Sequence, residues 1–159
     1  MNQWSSRKTS LVLWGLLIAF CGRVLGQLLV VLGAAPWLPP MKEWFSGLLP
    51  YPSLLASQVL IIVVLGWISV DFARGRGFWV STRPFFARGV LVFAYVYLAA
   101  MILRYVLRMA LVPEARWFGQ TIPIFFHWVL ASFLIVFGRW HRARLAGANP
   151  GRMGARAGK

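Results

Sequence analysis

Long apolar runs alternate with short polar stretches along this chain. The runs cover about residues 10–33, 53–72, 88–112 and 122–139. A helix rises about 1.5 Å per residue, so about 20 residues cross a hydrocarbon core about 30 Å thick. Each run reaches that length. The predicted fold is an all-α integral membrane protein, with four transmembrane helices in one bundle. The first run follows Arg7 and Lys8, as a secretory signal would, and Cys21 invites a lipoprotein reading. Phe20 is too large for the position before a cleavage site, and the apolar run continues to Gly33. The segment therefore reads as an uncleaved helix.

The stretches between the runs differ in character. Residues 34–52 hold Pro36, Pro39, Pro40 and Pro50, which forbid a continuous helix. Trp37, Trp44, Phe45 and Tyr51 in the same stretch suit the head-group level. A re-entrant or surface-lying loop is expected there, with one short amphipathic turn between Lys42 and Leu49. Asp71 closes the second run with Arg74 three residues on, which predicts an interfacial ion pair. Pro123 falls in the first turn of the fourth run, where a missing N–H costs nothing. Residues 1–141 thus form the membrane domain. Residues 142–159, rich in Gly, Ala and Arg, read as a basic disordered tail.

Composition sharpens this reading. The chain is 60% hydrophobic and 13% charged, whereas a soluble domain carries about 25% charged residues. Its net charge of +14 would suggest nucleic acid in a soluble protein. Here the basic residues lie between and beyond apolar runs, so anionic lipid head groups are the expected partner and nucleic acid is not. Cys21, the single cysteine, excludes an internal disulfide and a cysteine-based zinc site.

The basic residues also set an orientation. Arg7 and Lys8 precede the first run; Arg74, Arg76, Arg83 and Arg88 flank the second loop; Arg139, Arg142, Arg144, Arg152, Arg156 and Lys159 close the chain. The first and third loops carry only Lys42 and Arg116. Both termini and the second loop are therefore expected in the cytoplasm, with the chain in the plasma (bacterial inner) membrane.

Polar residues inside the runs carry the candidate chemistry. Arg104 and Arg108 lie one turn apart within the third run and form one cationic patch. Arg23 and Gln27 are similarly spaced in the first run, Gln58 opens the second, and His127 lies in the fourth. A charge at membrane depth costs about 2.5 kcal/mol or more on insertion scales, so it faces a partner, water or a ligand. The runs hold no acid besides Asp71, at the opposite surface. Either Glu43 or Glu114 folds inward from the outer loops, or an anion supplies the missing charge. A guanidinium meets carboxylate or phosphate oxygens with two hydrogen bonds.

The leading expectation is a protein that binds or moves an anionic amphiphile or lipid. Its outward-facing pocket is lined by Arg23, Gln27, Gln58, Arg104, Arg108 and His127. An accessory or assembly subunit of a larger membrane complex is the alternative. Gly15, Gly22 and Gly26, small residues on one face of the first helix, would then dock a homo- or hetero-oligomeric partner. A b-type haem carrier is the third reading, with His127 and His141 as ligands about 21 Å apart on one helix face. No second histidine pair exists to complete it, and no cofactor or metal is expected. No catalytic set of residues is legible at one membrane depth. Reporter fusions at Lys159 and within residues 40–48 should report opposite sides of the membrane; the same side for both would exclude the four-helix topology.

Overall fold

The computed structural model describes residues 6–44, 50–81, 84–111 and 122–148. Among these the regular elements are helices: α1 (Ser6–Val31), a short α2 (Met41–Trp44), α3 (Tyr51–Arg74), α4 (Pro84–Leu111) and α5 (Ile122–Ala148). Apart from α2, each is long and apolar enough to cross a membrane. The fold is thus all-helical, with the span content of an integral membrane protein.

Prolines and glycines set the helix ends. Pro52 lies in the first turn of α3, Pro84 opens α4 and Pro123 sits in the first turn of α5, all positions whose N–H has no partner within the helix. Gly33 and Gly75 stop α1 and α3 in left-handed conformations, φ 67° and 64°, which glycine adopts without a Cβ penalty. There the chain turns back on itself. The Ala34 N–H donates to the Leu29 carbonyl at 3.0 Å, and the Arg76 N–H to the Asp71 carbonyl at 3.3 Å.

The end of α5 departs from the sequence pattern. Its helix continues through residues 142–148, which the apolar pattern assigns to the tail. Trp140 and His141 are buried there, and their packing carries the helix past the end of the apolar run. Residues 149–159 lie outside the described part.

α1 lies against both α3 and α5, and α4 lies against α5, giving the order α3–α1–α5–α4; the backbones of α3 and α4 do not approach one another. Lipid tails are as apolar as leucine, so such helices associate by close packing rather than by escape from water. The α4–α5 seam accordingly uses small residues. Ala87, Leu91 and Ala94 of α4 are buried, as is Ala131 of α5. A Cβ on Gly138 would lie 2.7 Å from Leu91 Cγ. The main core joins Leu13 and Leu17 of α1, Leu65, Ile68 and Phe72 of α3, and Phe133, Phe137 and Trp140 of α5. Phe72 bridges α3 to α5, its ring centroid 4.6 Å from that of Trp140 and 5.7 Å from that of Phe137.

Asp71 does not pair with Arg74. The carboxylate is buried while Arg74 is exposed, and its Oδ2 accepts the backbone N–H of Trp79 at 3.1 Å. Backbone N–H groups are the nearer donors once the chain folds back over the helix end. The acid therefore pins the α3–α4 connection, packed against the bare Cα of Gly77.

The glycine face of α1 is also not a seam within the bundle. Gly15 and Gly22 have open space where a Cβ would stand, whereas one at Gly26 would lie 2.7 Å from the Trp44 ring. α1 turns its larger residues Leu13, Leu17 and Phe20 inward, which leaves the small ones outside. Gly22→Leu should therefore leave the thermal stability of the isolated protein in detergent unchanged. Gly26→Leu should lower it, by about 1–3 kcal/mol of overpacking; equal effects at the two positions would contradict this packing.

Candidate functional site

Arg23 lies about 12 Å along the axis from the end of α1 and is 7% exposed. One turn on, Gln27 accepts a hydrogen bond from Arg23 Nη1 through its Oε1. Arg23 Nη2 donates to the backbone carbonyl of Trp44 at 2.9 Å. Gln58 Nε2 on α3 donates to the same Gln27 oxygen at 3.2 Å. The indole N–H of Trp44 donates to the Pro39 carbonyl at 3.0 Å, which fixes the short α2 over the site. The guanidinium carbon also lies 5.9 Å from the centroid of the Phe126 ring on α5, a favourable cation–π distance. Arg23 thus ties α1 to α2 and α5, and Gln27 carries the link on to α3.

All of those acceptors are neutral. Among the described residues Arg23 has no carboxylate partner, and its Nε is buried without a hydrogen bond. Gln27 Nε2 and Gln58 Oε1 are buried in the same condition. The network positions the charge through neutral groups.

A cavity of about 150 Å³ adjoins this network. Its walls are mostly apolar, from Phe20, Trp44, Leu54, Ile61, Phe126 and Leu130, with Arg23, Ser57, Gln58, Tyr97 and His127 as the polar members. It lies between the first half of α3 and the first half of α5, at the end opposite the Phe72–Trp140 bridge. Tyr97 brings α4 to the cavity from the α5 side.

His127 borders the cavity from α5. Its Nδ1 shares a hydrogen bond with the Tyr97 hydroxyl of α4, and their rings meet edge to face at 5.7 Å. Arg104 is close enough to act electrostatically on both. It is half-buried and lies two turns beyond Tyr97, on the α4 face that meets α5. Arg108, also half-buried, continues that face.

The predicted residues therefore divide. Arg23, Gln58 and His127 line the cavity, and Gln27 supports it from behind. Arg104 stands beside it through Tyr97 and His127, and Arg108 lies farther along α4; neither forms a wall. Glu43 is half-buried on α2, and Glu114 lies outside the described residues. Sequence reasoning missed Tyr97 and Trp44 as members of the site. Tyr97 shares its helical stripe with Arg104, and that spacing was the available signal. Trp44 contributes a backbone carbonyl, for which side-chain identity gives no signal.

The second histidine has different surroundings. His141 is 2% exposed, with ring centroids of Phe137 at 4.6 Å, Trp140 at 4.9 Å and Phe72 at 6.1 Å. It is a core residue and not an interfacial one. Both its ring nitrogens are buried, so neither is open to an axial approach, and the haem reading gains no support from this geometry. The described residues contain no group of three or more His, Cys, Asp or Glu that could hold a metal ion.

The fold and cavity define a class, a multi-span helical membrane protein with a buried cationic cavity. Comparison of the chain with protein-family models, with curated proteins and with solved structures gave no match. The network itself makes a testable statement. Gln27→Leu should remove the side-chain acceptor of Arg23 and lower the melting temperature in detergent. The loss should reflect about 1–3 kcal/mol, the cost of a buried polar group left unmatched; unchanged melting would mean that Gln27 does not hold Arg23.

Proposed function

We propose that this protein binds, or moves, an anionic amphiphile or lipid in the cavity beside Arg23, with Arg104 lending long-range attraction. The observation that carries this reading is a buried guanidinium whose hydrogen bonds, among the described residues, go to neutral acceptors at the wall of a cavity between α3 and α5. A charge at such depth is stabilised by an opposite one. The cavity is smaller than the 300–1,000 Å³ or so of a pocket that encloses a drug-sized ligand. It suits a head group whose chains stay outside the cavity. Apolar walls with a few converging polar groups are the usual composition of a ligand site.

The sidedness belongs to the same proposal. With both termini in the cytoplasm of the plasma (bacterial inner) membrane, the cavity end of the bundle lies in the outer leaflet. The exposed Arg74, Arg76 and Arg88 then meet the anionic surface of the inner one.

Native mass spectrometry of the detergent-solubilised protein tests the reading. Wild type should carry anionic phospholipid. Arg23→Lys keeps the charge but loses the planar fork, so retention should fall about tenfold or more, the weight of one hydrogen bond to a charged group. Arg104→Lys should reduce retention less, and Arg108→Lys least. A wild type without bound anionic lipid, or an Arg23→Lys variant that retains it unchanged, would overturn the proposal.

A further inference from the structure

We propose that the group held in this cavity is a terminal phosphate, a phosphomonoester rather than a phosphodiester, seated at the His127 ring. The inference rests on the lipid-binding reading above and names its head group. It follows from where the fields of two guanidinium groups overlap on the cavity wall.

Arg23 Nε and Gln58 Oε1 are sealed, so neither meets the contents of the cavity. His127 differs: it is partly exposed and lines the cavity. Arg23 from α1 and Arg104 from α4 both act electrostatically on its ring. Among the described residues that line the cavity there is no Asp or Glu; Glu43, next to Trp44 on α2, is not one of them. An anion at His127 therefore feels two fixed positive charges. Tyr97 sets what the ring offers. Its hydroxyl shares a hydrogen bond with Nδ1 and lies in the field of Arg104. A hydroxyl near a cation keeps its lone pairs for the cation, so its proton goes to Nδ1. A neutral imidazole that accepts at Nδ1 carries its own proton on Nε2. The remaining ring nitrogen is thus a donor, which suits the oxygens of an anion.

Charge and size then narrow the ligand. A phosphomonoester carries about −1.5 to −2 charges at neutral pH and three acceptor oxygens, which matches two guanidinium groups. A phosphodiester or a carboxylate brings a single charge and answers half of that field. Low polarity makes the difference count, because charges interact more strongly there than in water. A terminal phosphate is also compact, with one ester arm, and the cavity measures about 150 Å³. A phosphodiester needs room for a second arm. Phosphatidic acid and inorganic phosphate both present the required oxygens, so the test separates a lipid source from a soluble one.

The test is a head-group panel on the intact protein in detergent, read by native mass spectrometry. The pH is held at about 8, above the second phosphate pKa of about 6. Phosphatidic acid is compared with phosphatidylmethanol, a phosphodiester with a minimal second arm, and with phosphatidylcholine, all on the same acyl chains. Wild type should retain phosphatidic acid about tenfold or more above phosphatidylmethanol, the weight of one added charge-assisted contact. Arg104→Gln should shrink that ratio by removing one of the two charges, and His127→Phe should shrink it by removing the seat. Equal retention of the two anionic lipids by wild type would overturn the terminal-phosphate inference and leave the lipid-binding reading standing. Equal retention of phosphatidylcholine would overturn both. A ratio unchanged in both variants would overturn the seating at His127. Inorganic phosphate that displaces phosphatidic acid at equal concentration would overturn the lipid source. The wild-type panel decides the head group even if neither variant folds.

Discussion

A guanidinium held in an apolar interior must be met by oxygen, and the bundle is arranged around how that demand is met at Arg23. Its hydrogen bonds reach Gln27 on its own helix and the Trp44 carbonyl, and Gln27 passes the connection to Gln58 on α3. The Pro-rich connection after α1 is bent back to supply that carbonyl. The ring of Trp44 then fills the space that Gly26 leaves. Neutral oxygens solvate a charge without cancelling it. That distinction is what the proposed anion binding rests on.

The two ends of the bundle follow different physics. At one end α3 and α5 are joined by Phe72, Phe137 and Trp140, and Asp71 pins the following connection through the Trp79 N–H. At the other end polar side chains and a cavity lie between the same two helices. Among the described helices α4 packs its backbone against α5, along a seam of alanine, glycine and leucine that continues into Tyr97, Arg104 and Arg108. Dispersion contacts hold the first end and hydrogen bonds order the second. Local adjustment is therefore cheapest on the cavity side, where fewer close-packed contacts must be rebuilt.

Much of the fold is legible along the chain because a bilayer allows few solutions. Every backbone polar group must be matched internally, so a long apolar run becomes a helix. Proline at the first turns and glycine beyond the last ones add the ends. The pattern fails where burial comes from a partner rather than from composition. Residues 142–148 read as tail, yet α5 continues because Trp140 and His141 find a core. The small-residue face of α1 reads as a docking face for a partner, and within the bundle Gly15 and Gly22 have no neighbour. A small side chain permits close approach and does not require it.

For the candidate site, the residue types were readable and their grouping was not. Arg23, Gln27, Gln58 and His127 stand out because polar groups are costly inside an apolar run, and that cost is a property of each position alone. The order α3–α1–α5–α4 decided that Gln58 meets Gln27 and that His127 meets Tyr97. The same order left Arg104 beside the cavity rather than in its wall, and gave Asp71 a loop amide instead of Arg74. The sequence by itself determined which segments enter a membrane and which side chains need partners there, since both follow from local transfer energies. Only the tertiary structure decided who those partners are, because the hydrogen bonds that matter join residues far apart in the chain and depend on which helix faces which.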